Sequence, residues 1–195
     1  VSRKEKRGYH ADFLKWVKIK PNRFHLIATW GKSKNKNIDV GFSFIHNEMR
    51  DNCPKWEIDH WEKYVKGWSE ETFKGGGFVS GWYPYKYILS VEGNDKDSGL
   101  NWKLNSNSVV FMCKPRATSW LMECTLIPNY HYILLKNDFS DLEEKILWCN
   151  EHPNICKQII QNAHRYMRQF SDPIKEHYIQ KRVVDKYFQI TKFRK

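Results

Sequence analysis

The middle of the chain alternates short apolar runs with polar turns. Residues 87–92 are mostly apolar and rich in strand-forming side chains, as a buried strand would be. A turn cluster follows at 92–95, then a short helical segment at 100–104 and a second apolar run at 109–112. The order strand, polar loop, helix, strand predicts a βαβ unit with parallel strands.

On either side of this unit, apolar residues recur at helical spacing in several segments. Helices are predicted for 56–68, 116–126, 142–149, 155–170 and 174–187, with a short one before Pro21. Further strands are predicted for 38–44 and 131–135, whereas 23–30 fits a strand or the start of a helix. Strands that alternate with helices indicate an α/β fold, with a parallel sheet flanked by helices.

One helix start carries a local signal. Ser140 is followed three residues later by Glu143, which predicts a capping box, and Asp141 would lie in the positive first turn. This role explains the acidic residues here better than a pair of catalytic carboxylates does. Pro153 is expected to interrupt the helix that follows.

Length and composition are those of one ordinary domain. The chain has 195 residues, of which 41% are hydrophobic, so it can bury a core. No apolar run approaches the roughly 20 residues that span a bilayer, and no apolar segment typical of a signal peptide follows the basic N-terminus. Because the sequence begins with Val, we expect a piece of a longer protein.

Cysteine usage favours a reducing compartment. The five cysteines are odd in number and include no Cys-x-x-Cys pair. This pattern indicates free thiols in a cytoplasmic setting and gives no support for a zinc site.

The chain is strongly basic, with a formal net charge of +11. The charge fits a solvated basic surface, a polyanionic partner, an anionic membrane surface or a phosphate-bearing substrate. Basic residues concentrate at both ends: Arg3, Lys4, Lys6 and Arg7, then Lys181, Arg182, Lys186, Lys192, Arg194 and Lys195. These ends could contact a membrane peripherally.

Polar loops beside the predicted strands are the first candidates for a ligand site. Ligands of open α/β sheets bind outside the carboxyl ends of the strands, where we expect the loops 93–98 and 105–108. Backbone N–H groups, serine hydroxyls and a lysine in these loops would suit an anion, although each is also an ordinary turn or cap residue. The glycine run 75–77 lacks the pattern of a phosphate-binding loop and is expected to be a flexible connection.

Several motifs together resemble a known family. They are Glu92-Gly93-Asn94-Asp95, Leu100-x-Trp102, Ser106-Asn107-Ser108, Trp120-x-Met122-Glu123, Pro128-x-x-His131-Tyr132 and Asp138-x-Ser140-Asp141-Leu142-Glu143-Glu144. This set resembles glycosyltransferase family 90, which includes the Rumi-type protein O-glucosyltransferases and bacterial lipopolysaccharide core glycosyltransferases. The bacterial branch fits best, and the resemblance is strong over 84–190. It is weaker over 1–45, where Lys6-Arg7-Gly8 and Arg23 fit family positions.

The resemblance implies a GT-B architecture, with two Rossmann-like domains and an active site between them. Residues 46–195 would then be the C-terminal nucleotide-sugar-binding domain, and 1–45 a remnant or linker from the N-terminal half. Members of the family are inverting enzymes that use no metal, and no cofactor is expected beyond a UDP-sugar donor. Their proposed general base is an Asp upstream of this chain, so the catalytic residue is unknown here.

The resemblance and the loop positions together give a set of expected donor-binding residues. It comprises Arg7, Gly93, Asn94, Asp95, Ser98, Lys103, Ser106, Asn107, Ser108, Trp120 and Glu123. Rumi-type members carry an Arg just after the loop serine, but Ser98 has none, so Lys103 or Arg7 is expected to supply that charge. Cys124 also departs from the pattern, because bacterial relatives usually have Gly there.

Glu123 and Trp120 each have two interpretations. The carboxylate of Glu123 could accept hydrogen bonds from the 2′- and 3′-hydroxyls of a ribose, or it could be an exposed helix carboxylate. Trp120 could be a platform for a sugar or base, or it could pack in the core. His131 is expected to be a structural histidine.

The sequence therefore predicts the donor-binding portion of a glycosyltransferase that acts on a glycan or lipopolysaccharide-core hydroxyl. One alternative is a basic nucleic-acid-binding domain, which is disfavoured because the tryptophans lie in apolar patterns away from the lysines. Another is a truncated transferase that binds nucleotide without turnover.

Overall fold

A computed structural model describes residues 22–42, 47–66, 84–93 and 95–191. Arg7, Asn94, the helix predicted before Pro21 and the glycine run 75–77 lie outside these residues. The described part is an α/β structure around one three-stranded parallel sheet.

The sheet is small and follows chain order. Its strands are β1 (Tyr87–Leu89), β2 (Val109–Met112) and β3 (Ile133–Leu134), with β2 in the centre. Parallel pairing aligns Tyr87 with Val109 and Phe111 with Ile133. All four residues of β2 are buried, as expected for a central parallel strand covered on both faces.

Seven α-helices accompany the sheet in the described residues. They are α1 (Arg23–Trp30), α2 (Asn47–Asn52), α3 (Lys55–Glu62), α4 (Leu100–Asn105), α5 (Leu142–Glu151), α6 (Pro153–Arg168) and α7 (Pro173–Thr191). The predicted βαβ unit is confirmed, since α4 connects the parallel strands β1 and β2. The break at Pro153 is also confirmed, because α6 begins there.

Alternate residues of β2 point into two separate cores. Val109 and Phe111 pack with residues of α1, α3 and α5, whereas Val110 and Met112 pack with residues of α4 and α6. Helices therefore cover both faces of the sheet, as the sequence predicted. Burial of this kind stabilises by about 25 cal/mol per Å² of apolar surface.

The described part of the segment 1–45 packs onto this body. Leu26 and Ile27 of α1 are buried in the first core together with Ile38 and Val40. The open choice for 23–30 resolves as a helix because Asn22 caps it, its side chain accepting a hydrogen bond from the His25 N–H at 2.9 Å. The proposed division of the chain after residue 45 stays a prediction.

Two predicted strands and one helix are shorter than expected. In the described residues, the predicted strand 38–44 is reduced to one bridge between Phe42 and Val65. The predicted helix 56–68 ends at Glu62, and the chain then turns back to form this bridge. A Cβ on Gly41 would lie 2.8 Å from the carbonyl oxygen of Tyr64, so this close approach requires glycine. Of the predicted strand 131–135, Ile133–Leu134 pairs in the sheet and Tyr132 forms an isolated bridge with Pro128.

The predicted capping box is wrong. Helix α5 starts at Leu142 with Asp141 as its N-cap, and no side chain caps it. The Ser140 hydroxyl instead donates to Asp138 at 2.7 Å, and the Glu143 carboxylate accepts from the Asn35 amide at 2.6 Å. These partners, one of them more than a hundred residues away, replace the local cap.

Candidate functional site

A cleft opens at the edge of the sheet where the strands end, which we call the carboxyl-edge cleft. Segments that follow β1, β2 and β3 all contribute to it. Its lining consists of Ser90, Val91, Glu92, Lys96, Asp97, Leu100, Met112, Cys113, Lys114, Pro115, Glu123 and Phe139. The cleft occupies the place where parallel α/β sheets bind ligands.

Asp97 fixes the loop after β1. Its carboxylate accepts hydrogen bonds from the Ser90 hydroxyl at 2.6 Å and the Gly99 N–H at 2.9 Å, and it forms an ion pair with Lys103. Burial alone would raise the pKa of Asp97, but the Lys103 charge and these hydrogen bonds outweigh it and lower the pKa. Lys103, expected to face a ligand, is committed to this pair.

Glu92 joins the loops that follow β1 and β2. Its two carboxylate oxygens accept from the backbone N–H and the Nε–H of Arg116, at 2.9 and 2.7 Å, and from the Ala117 N–H at 3.3 Å. A charged side chain held by three donors makes a firm connection. One wall of the cleft is thereby fixed to the other.

Glu123 is buried, and the exposed-carboxylate alternative is wrong. Its side chain is 1% exposed and accepts from the N–H and hydroxyl of Ser119, at 2.6 and 2.8 Å. Burial acts to raise the pKa of Glu123, but the Ser119 donors and the nearby Lys96 charge outweigh it, so the pKa is lowered. Glu123 remains ionised at neutral pH at the cleft wall.

The same contacts explain why the helix predicted for 116–126 is absent apart from a single 3₁₀ turn at Glu123–Thr125. The Glu123 carboxylate takes the backbone N–H of Ser119, which a helix starting at Arg116 would use, and the Glu92 carboxylate holds the N–H groups of Arg116 and Ala117. Met122 then adopts a left-handed conformation with φ 54°. Cys124 has no positive φ, so the backbone at this position does not require the glycine that the resemblance led us to expect.

Lys96 connects Glu123 with Trp120. Its ammonium lies 3.9 Å from Glu123 Oε1 and 5.9 Å from the centre of the Trp120 ring. Trp120 is 58% exposed and contacts Phe170 edge to face, with ring centres 5.4 Å apart. The core-packing alternative for Trp120 is wrong, and the ring is open to a ligand.

The loop 105–108 lies at the opposite edge of the sheet, so its predicted place beside a ligand at the strand ends is wrong. It leads into β2, and a loop that enters a parallel strand lies at the amino edge. The Ser106 hydroxyl donates to the Lys103 carbonyl at 2.7 Å, and the Ser108 hydroxyl donates to the Tyr85 carbonyl at 2.6 Å, just before β1. Asn107 is exposed at the same edge.

The remaining predicted residues follow β1 on the carboxyl edge. Gly93 donates its N–H to the Asp95 carbonyl at 3.0 Å, so this donor, expected to face an anion, is engaged within the turn. Asp95 and Ser98 are exposed on the same loop.

Sequence reasoning missed Lys96, Lys114 and Arg116. Lys114 is exposed and lines the cleft, and it has no ion-pair partner within the described part of the chain. The signal for Lys114 and Arg116 was available, because both lie shortly after the predicted strand 109–112 and therefore near its carboxyl end. Lys96 lies in the loop 93–98, which was proposed as part of the ligand site. Its contact with Glu123 depends on the turn 119–123, which the sequence did not predict.

Comparison with known proteins identifies the family of the chain. The family model of glycosyl transferase family 90 matches residues 46–194. The chain belongs to this family. Family 90 membership is consistent with an α/β domain, whereas the GT-B half expected for this chain stays a prediction.

Curated relatives include two O-glucosyltransferases. The chain is 43% identical over 106 residues to O-glucosyltransferase LpsA of Dichelobacter nodosus, which covers 54% of this chain and 33% of that protein. It is 33% identical over 86 residues to Protein O-glucosyltransferase 2 of Danio rerio, covering 44% of this chain and 17% of that protein. It is also 30% identical over 92 residues to the uncharacterized protein 179R of Invertebrate iridescent virus 6, covering 44% of this chain and 8% of that protein.

The chain therefore spans a third or less of the length of these relatives. No solved structure matches the chain significantly.

Proposed function

We propose that the chain is the donor-binding portion of an inverting, metal-independent glycosyltransferase that uses a UDP-sugar. Membership in family 90 supports glycosyl transfer. The observation that carries the proposal is the carboxyl-edge cleft, which is lined by the Glu123 carboxylate and two lysines and has the exposed Trp120 beside one of them, Lys96.

The cations of the cleft suit a nucleoside diphosphate. Transfer of the sugar breaks the bond between its anomeric carbon and the diphosphate oxygen, so negative charge grows on the leaving group. Fixed positive charges stabilise that growing charge more than they stabilise the intact donor. Lys96 and Lys114 both line the cleft and are the proposed partners of the diphosphate.

Glu123 and Trp120 suit the nucleoside. A carboxylate can accept two hydrogen bonds from neighbouring ribose hydroxyls, and each oxygen of Glu123 has a further lone pair beyond its Ser119 contact. Trp120 is exposed 5.9 Å from the Lys96 ammonium, where its face can stack on a base or a sugar.

The proposed acceptor is a hydroxyl group on a glycan or a lipopolysaccharide core. The basic charge of +11 would favour an anionic, membrane-attached acceptor. No described helix combines the length and the apolar character required to cross a membrane.

A second candidate, nucleotide binding without turnover, shares the same cleft. It is favoured by one observation: the carboxylates Glu92 and Asp97 of the cleft are held in ion pairs, which leaves neither free as a base. Calorimetry with UDP tests both candidates, and an assay of UDP release from a UDP-sugar separates them. Absence of UDP binding would exclude both.

A further inference from the structure

Arg23 lies against the loop that borders the cleft. A Cβ built on Gly93 would lie 3.4 Å from Nη2, 3.6 Å from Cζ and 4.0 Å from Nε of Arg23. The guanidinium therefore packs on the backbone of Gly93, the residue directly after Glu92, which lines the cleft. This contact brings a cation from the first described helix to the carboxyl edge.

The Arg23 charge is uncompensated within the described part of the chain. Two other cations on this edge, Lys103 and Arg116, are committed to ion pairs with Asp97 and Glu92. Arg23 is exposed, and no described carboxylate lies within ion-pair distance of it. An exposed guanidinium without a partner is available to an anion.

The backbone beneath Arg23 is well anchored. Arg23 is the first residue of α1, which is capped by Asn22 and held in the core by Leu26 and Ile27. Arg23 also lies outside the residues 46–194 that the family model matches.

We propose that the Arg23 guanidinium binds the phosphate groups of the ligand that occupies the carboxyl-edge cleft. The proposal rests on the proposed function for the identity of that ligand, a nucleoside diphosphate. A planar guanidinium can donate two parallel hydrogen bonds to one phosphate group. Gly93 contributes by having no side chain, which leaves room for the guanidinium beside the loop.

Titration calorimetry with two probes, pyrophosphate and UDP, tests the proposal. Arg23→Gln removes the guanidinium and should weaken the binding of both probes about ten- to a hundredfold, the loss typical of a hydrogen bond to a charged group. Arg23→Lys keeps the charge without the planar fork and should recover part of the affinity. Arg182→Gln, which removes an equal charge from an exposed position on α7, should change neither affinity.

Thermal unfolding of each variant verifies that the fold is retained, as expected for an exposed side chain. Gly93→Val provides a second variant, because its side chain would displace the guanidinium while Arg23 itself is kept; it should weaken pyrophosphate binding as well. The proposal would be overturned if the Arg23→Gln variant bound both probes as tightly as the unaltered protein. It would also be overturned if the unaltered protein bound no pyrophosphate. If the protein bound pyrophosphate through Arg23 but did not bind UDP, the proposed function would be contradicted, whereas the anion site at Arg23 would be supported.

Discussion

At the scale of single residues, Asp97 has a structural role in the cleft. Its side chain is 10% exposed and holds Ser90, Gly99 and Lys103 together in one network. Removal of one partner of such a pair leaves the other charge poorly compensated, which is costly in a nearly buried position.

Asp97→Asn should lower the free energy of unfolding at neutral pH by about 3 kcal/mol. Because the pKa of Asp97 in the folded protein is below its ordinary value of 3.8, the charged form stabilises the fold above that value, and this contribution is lost as the pH falls further. Urea unfolding at pH 7 and at successively lower pH should show the difference between the two proteins shrinking below pH 3.8. Asp185→Asn, an exposed change on α7, is the control. A difference that stays constant with pH would contradict the role of the charge.

Glu123 offers a second prediction at this scale. If its carboxylate accepts from the ribose hydroxyls, Glu123→Gln should weaken UDP binding about ten- to a hundredfold, but should barely affect 2′,3′-dideoxy-UDP, which lacks those hydroxyls. Glu176→Gln on α7 should leave both affinities unchanged. Equal losses for both nucleotides would mean that Glu123 acts only by shaping the turn with Ser119.

At the scale of elements, the two edges of the sheet have different roles. The amino edge contains Ser106 and Ser108, whose hydroxyls bind backbone carbonyls, and the carboxyl edge contains the cleft. Chemically similar polar loops therefore lie at opposite edges of the sheet according to whether they enter or leave a strand.

Ser108→Ala should lower stability by about 1 kcal/mol, because the Tyr85 carbonyl loses a buried donor, and should leave UDP affinity unchanged. Lys114→Gln at the carboxyl edge should have the opposite profile, with weaker UDP binding and unchanged stability. Thermal unfolding and calorimetry on both variants measure the two properties. If Ser108→Ala lowered UDP affinity and Lys114→Gln did not, the ligand would bind at the amino edge, which would contradict the proposed site.

The elements that were predictable from the sequence are those whose apolar residues recur at the spacing of a strand or helix and are buried in the fold. Strand β2 is a continuous apolar run, and α6 carries apolar residues at helical spacing. The segment 116–126 was not predictable, because its conformation is set by carboxylates: Glu92 lies 24 residues before the Arg116 N–H that it binds. The capping box failed for the same reason, since Asn35 is 108 residues from Glu143. Local patterns cannot reveal partners that only the fold brings together.

At the scale of the whole molecule, α7 differs from the other helices. None of its residues is buried, and it carries exposed apolar side chains beside Lys175, Lys181 and Lys186. Apolar and basic side chains together are typical of helices that lie on anionic membrane surfaces.

The prediction of peripheral membrane contact can be tested on this helix. Each lysine near an anionic surface contributes about 1 kcal/mol, so replacing all three by Gln should weaken binding to phosphatidylserine-containing vesicles on the order of a hundredfold. Co-sedimentation with these and with neutral vesicles measures the effect. Replacing the exposed Lys32, Lys34 and Lys36 by Gln is the charge-matched control and should matter less. Equal binding to neutral and anionic vesicles would contradict the prediction.

The central claim is that the carboxyl-edge cleft binds a nucleoside diphosphate, and calorimetric titration with UDP tests it most directly. The account predicts a single site whose affinity falls at least tenfold in Lys114→Gln and stays unchanged in Ser108→Ala. Absence of UDP binding in the intact protein, or binding that neither substitution distinguishes, would contradict it.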